Sequence, residues 1–75
     1  MNAKEYVRDM VGSMHGDVYV ADREYDDGMF ESINISVEIP GLGRFFQYWK
    51  TWQEAAAVVG VLVEVKERLE ITRYV

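Results

Sequence analysis

The sequence predicts a two-layer α+β fold in the order α-β-β-β-α, with a three-stranded antiparallel sheet packed on two helices. Three observations carry this expectation. Apolar residues recur at helical spacing near both ends of the chain, they alternate at period two through its middle, and the alternating runs are joined by turns too short for anything but antiparallel pairing. At 75 residues, with 49% hydrophobic and 28% charged content and a single proline, the chain reads as one domain over residues 1–75. Cysteine is absent, which excludes disulfides and thiolate metal sites and accords with a reducing compartment.

The first helix is signalled by Asn2 as an N-cap with Glu5 three residues on, followed by Tyr6, Val7, Met10, Val11 and Met14 on one face. It is expected to end near His15-Gly16, with the glycine as a left-handed C-terminal cap. From Gly16 the period changes. Val18 and Val20 alternate with Asp17, Tyr19 and Ala21, and Ile33, Ile35, Val37 and Ile39 alternate with Ser32, Asn34, Ser36 and Glu38, so both runs read as half-buried strands. Asp27-Gly28 between them is a two-residue hairpin signal. With that pair at the tip, Asp26 faces Met29, Val20 faces Ile35 and Val18 faces Val37, which gathers the apolar residues on one side.

Pro40-Gly41-Leu42-Gly43 marks a second reversal, and Arg44 to Lys50 follows as an aromatic third strand. A three-residue loop places Arg44 opposite Glu38. Phe45 and Trp49 then point inward, while Arg44, Phe46, Tyr48 and Lys50 point outward beside Tyr19, Arg23 and Tyr25 of the first hairpin. Thr51-Trp52-Gln53-Glu54 matches a capping box and opens a second helix, whose apolar side holds Ala55, Val58, Val59, Leu62, Val65 and Leu69. Val61, Val63 and Val65 also alternate after Gly60, so a strand there competes with the helix; the continuous polar side through Glu67 favours the helix. Residues 71–75 are strand-like in composition and leave open a short C-terminal edge strand. The element order resembles that of double-stranded-RNA-binding domains over most of the chain. Where that family opens its second helix with a lysine cluster, this chain has Trp52, Gln53 and Glu54, so RNA binding does not carry over with the architecture.

The formal net charge is −5, with thirteen acidic and eight basic residues. The excess is local: residues 17–38 hold Asp17, Asp22, Glu24, Asp26, Asp27, Glu31 and Glu38 against the single base Arg23. Such a stretch repels phosphate backbones and attracts basic partners. Direct nucleic-acid binding is therefore not expected. Charged residues near the N-terminus break any signal-peptide core, and no apolar run spans a membrane, so a cytoplasmic location is expected.

No constellation reads as catalytic. Ser13, His15 and Asp17 hold the letters of a triad, but neighbours across a helix end do not converge as a triad must. Asp22, Glu24, Asp26, Asp27 and Gly28 resemble the start of a calcium loop, yet Asp27 and Ile33 stand where its glycine and closing glutamate belong. No cofactor, metal or enzymatic activity is expected. What remains is a surface: Tyr19, Phe46 and Tyr48 as aromatic anchors, with Asp22, Glu24, Asp26, Asp27 and Glu31 as a charged rim. The leading expectation is a small protein-interaction module that engages a basic protein surface. In size, acidity and lack of motifs the chain is similar to phage-encoded inhibitors of host defence, anti-CRISPR proteins among them, some of which occupy nucleic-acid channels. Two rivals are a homodimer or larger homo-oligomer burying its own aromatic sheet face, and a nucleic-acid binder using Arg44, Lys50 and the aromatics.

Overall fold

Two capped helix starts and two short reversals account for the architecture. The computed structural model describes residues 1–25 and 28–72. These form α1 (Ala3–Ser13), β1 (Asp17–Tyr25), β2 (Gly28–Ile39), β3 (Gly43–Trp49) and α2 (Trp52–Thr72), with the antiparallel strands in the order β1-β2-β3. The predicted α+β arrangement is the observed one. No helix among the described residues is long and apolar enough to cross a membrane.

Asn2 caps α1 by accepting the Glu5 N–H at 2.8 Å. Thr51 caps α2 by accepting the Glu54 N–H at 3.1 Å, and its hydroxyl donates to the Glu54 carboxylate at 2.9 Å. Each oxygen satisfies one N–H that the helix itself leaves unpaired. The end of α1 departs from expectation. His15, with φ 56°, is the left-handed residue, not Gly16. The His15 N–H donates to the Gly12 carbonyl at 3.0 Å and the Gly16 N–H to that of Val11 at 2.9 Å, the paired bonds of a Schellman closure. Gly16 is required for space instead: a Cβ there would stand 2.5 Å from both the Ser36 carbonyl oxygen and Val37 Cγ1. The chain leaving α1 thus lies directly on β2.

The core forms between the helices and one face of the sheet. Val7, Val11 and Met14 of α1, Ile33, Ile35, Val37 and Ile39 of β2, and Ala55, Val59 and Leu62 of α2 are buried together. Each of the Val, Ile, Leu and Met side chains among them contributes about 1.5–3 kcal/mol on leaving water. Phe45 and Trp49 stack at 6.2 Å and pack against this cluster, as the inward parity of β3 requires. Trp52 lies within 6 Å of both the Lys4 ammonium and the Arg8 guanidinium, which ties α1 to the start of α2.

The first hairpin keeps the expected faces but not the expected register. Tyr25 pairs with Gly28, Val20 with Ile33 and Val18 with Ile35, two residues away from a tip centred on Asp27-Gly28. Gly28 is the first residue of β2, with φ 129°; Asp26 and Asp27 lie outside the described residues. A two-residue shift preserves parity, so the apolar residues still face the helices. The expected register would have set Asp22 across from buried Ile33, whereas the observed one sets it across from Glu31, beyond the core. The observed register instead gives buried Ile33 an apolar partner, Val20.

The second reversal is as expected, with Ile39 paired to Gly43 and Glu38 to Arg44 around Pro40-Gly41-Leu42. Residues 61–67 are helical, and α2 runs unbroken through Gly60. Within α2, Val65 is absent from the core, while Val63 packs against it beside Val58 and Leu69. Ile71 and Thr72 continue α2 and form no edge strand; residues 73–75 lie outside the described set.

Candidate interaction surfaces

The sheet presents two surfaces, and alternation decides which residues each receives. Facing away from the helices are Tyr19, Ala21 and Arg23 of β1, Phe30, Ser32, Asn34 and Ser36 of β2, and Arg44, Phe46 and Tyr48 of β3, as the register dictates. Tyr19 and Phe46 are about half exposed, at 48% and 51%. The small polar residues between them are not. Ser32 and Asn34 have no exposed surface and Ser36 has almost none.

Two arginines cover them. The Arg23 guanidinium donates from Nε to Ser32 Oγ at 3.1 Å and from Nη2 to Asn34 Oδ1 at 2.7 Å, while lying 3.9 Å from the Tyr48 ring centre. Arg44 Nη1 donates to Ser36 Oγ at 2.9 Å. Beneath Arg23, Asn34 Nδ2 donates to the Ser32 carbonyl and hydroxyl oxygens at 3.2 and 3.0 Å, and Ser32 Oγ donates to the Ala21 carbonyl at 3.1 Å. No buried side-chain polar atom among the described residues lacks a partner. Lys50 lies over the Phe30 ring at 4.7 Å. The outward face therefore carries aromatics interleaved with cations.

Of the expected rim of acids, Asp22, Glu24 and Glu31 do not border this face. Asp22 and Glu24 alternate with Arg23, and Glu31 alternates with Phe30, so these three carboxylates project from the opposite side of the ribbon. The net charge of a run ignores the pleat, which sends successive side chains to opposite faces.

What the acids do surround is apolar. β3 pairs with β2 from Ile33 to Ile39, so the hairpin beyond Ile33 has no third strand beside it, and the molecule is elongated, 50 × 27 × 16 Å. On the helix side Met29, within this projection, is 66% exposed, and Val20, at its base across from Ile33, is 45% exposed. Met29 pairs with Glu24, and Asp22 pairs directly with Glu31. Like charges in directly opposed positions destabilise a ladder, so this pairing carries an energetic cost. Met29 and Val20 were not among the expected site residues; their parity with Asp22 and Glu24 was the available signal.

Among the described residues no group of histidine and carboxylate side chains is arranged to hold a metal ion. His15 is exposed at its left-handed turn, and the Ser13 hydroxyl donates to the Met10 carbonyl at 2.7 Å, a helix-internal bond unconnected with His15. In comparison with known proteins, the chain matches no family model, no curated protein and no solved structure.

Proposed function

We propose that the protein is a small interaction module whose projecting hairpin engages a basic surface of a protein partner. The observation that carries this reading is the composition of the helix-side face of the hairpin, where Met29 and Val20 are exposed among Asp22, Glu24 and Glu31. Apolar anchors supply buried area, and the carboxylates steer encounter with a cationic partner. Tyr19, Phe46 and Tyr48 stand on the other face and further back. A partner that touches them as well as the acids must wrap the ribbon; one that receives the projecting end alone meets Met29 beside Glu24, Asp22 and Glu31.

The test separates binding from folding. After capture and identification of a partner from lysate, its association and dissociation rates are measured against a salt series. Glu31→Gln removes the repulsion from Asp22, so the variant is expected to be at least as stable as the parent while associating more slowly and with weaker salt dependence. Met29→Ala is expected to speed dissociation. A partner that binds Glu31→Gln and Met29→Ala with unchanged rates would overturn the reading.

A further inference from the structure

The strand order leaves two edges, and the molecule treats them differently. β1 carries Asp17, Asp22, Arg23 and Glu24 along its length, the charged side chains by which sheets discourage pairing at an open edge. β3 reads Gly-Arg-Phe-Phe-Gln-Tyr-Trp. It has one charge, no proline, and a register against β2 without a bulge. Among the described residues its backbone bonds only to β2. Gln47 faces the helix side yet is exposed, so neither helix covers this edge. Apart from Arg44, β3 carries none of the ordinary devices against edge pairing.

We infer that β3 pairs antiparallel with β3 of a second copy, joining two sheets into one of six strands. The side chains select the register. Antiparallel pairing joins positions of the same hydrogen-bonding parity, so a symmetric pair of identical strands is centred on one residue. Centring on Gln47 sets Arg44 against Lys50 of the partner subunit, two like-charge pairs. Centring on Phe45 drives Tyr48 and Trp49 onto the Pro40-Gly41-Leu42 turn. Centring on Phe46 uses all seven residues and none beyond. It places Phe46 against Phe46 of the partner subunit and, on each side, Arg44 against Tyr48 of the partner subunit, a register with an aromatic centre and no like-charge pair. On the helix side Trp49 lies across from Gly43 of the partner subunit, where no side chain obstructs its ring.

The pairing runs along a single seven-residue edge, so the dimer is expected to be reversible and to grow with concentration. It goes beyond the hairpin reading and is tested on the protein alone, so neither result bears on the other. Sedimentation velocity across a wide concentration series is expected to show a monomer–dimer equilibrium. In hydrogen exchange, the β3 amides should gain protection as concentration rises, a measurement that needs no variant. Phe46→Lys and Phe46→Glu should each be monomeric, because the central residue meets its own copy, and an equimolar mixture of the two should dimerise again. Tyr19→Lys, on the far strand, should dimerise like the parent. A parent that stays monomeric, a Phe46→Lys protein that still dimerises, a mixture that fails to recover, or a dimer lost in Tyr19→Lys would each overturn the proposal, the last pointing to face-to-face packing instead.

Discussion

From Ser32 to Val37 the two faces of β2 are both buried, by opposite means. Toward the helices Ile33, Ile35, Val37 and Ile39 are covered by apolar side chains from α1 and α2; away from them Ser32, Asn34 and Ser36 are covered by Arg23, Arg44 and Tyr48. Apolar burial is non-directional and tolerates approximate neighbours. Polar burial needs each donor to find its acceptor, and leaving one unmatched costs more than the bond itself is worth. A small domain with one layer of helices thus obtains a second covered surface without a second hydrophobic layer, and that surface is brittle where the first is forgiving.

The largest break is expected on the apolar face. Ile35→Ala should cost about 2–5 kcal/mol, since Ile35 is fully buried and the sheet cannot collapse onto the void; urea unfolding measures it. On the polar face Asn34→Leu should cost about 1–3 kcal/mol by leaving the Arg23 Nη2 donor and its neighbours unmatched. The sharper test is the pair. If the polar face is a matched set, Arg23→Met combined with Asn34→Leu should cost less than the two single changes added together. Strict additivity would show that the arginine contributes independently. Away from β2, Gly60→Ala should stabilise by up to about 1 kcal/mol, because a Cβ there meets only the Tyr6 hydroxyl at 3.5 Å, an ordinary contact. Tyr48→Leu should have the smallest effect, about 0.5–1 kcal/mol, since it removes the ring beneath the guanidinium but none of the hydrogen bonds.

Much of this was legible in the sequence, because it depends on neighbours. Asn2 and Glu5, then Thr51 and Glu54, are three residues apart and mark both helix starts. Parity along β3 correctly separated Phe45 and Trp49 from Phe46 and Tyr48. What escaped depends on contacts across strands. A two-residue slip in the first hairpin changes every partner while leaving every face intact, so hydrophobic alternation is silent about it. The burial of Ser32 and Asn34 rests on Arg23 reaching over from β1, and a serine looks alike in sequence whether water or an arginine covers it. The role of Gly16 was misassigned because a glycine required for close approach and one required for positive φ are the same letter. The position of the acids was available all along: whatever sends Arg23 outward sends Asp22 and Glu24 the other way.

The strand order β1-β2-β3 also governs how quickly the chain finds this fold. Each strand pairs with its sequence neighbour across a short reversal, so the whole sheet closes through local loops with little entropy lost per closure. The contact between α1 and α2 joins the two ends of the chain and has the longest loop to close. Folding is therefore expected to begin with the meander and to finish with the docking of the helices. Substitutions in the paired segments of β2 should then slow folding, while those where Tyr6 meets Gly60 should mainly hasten unfolding.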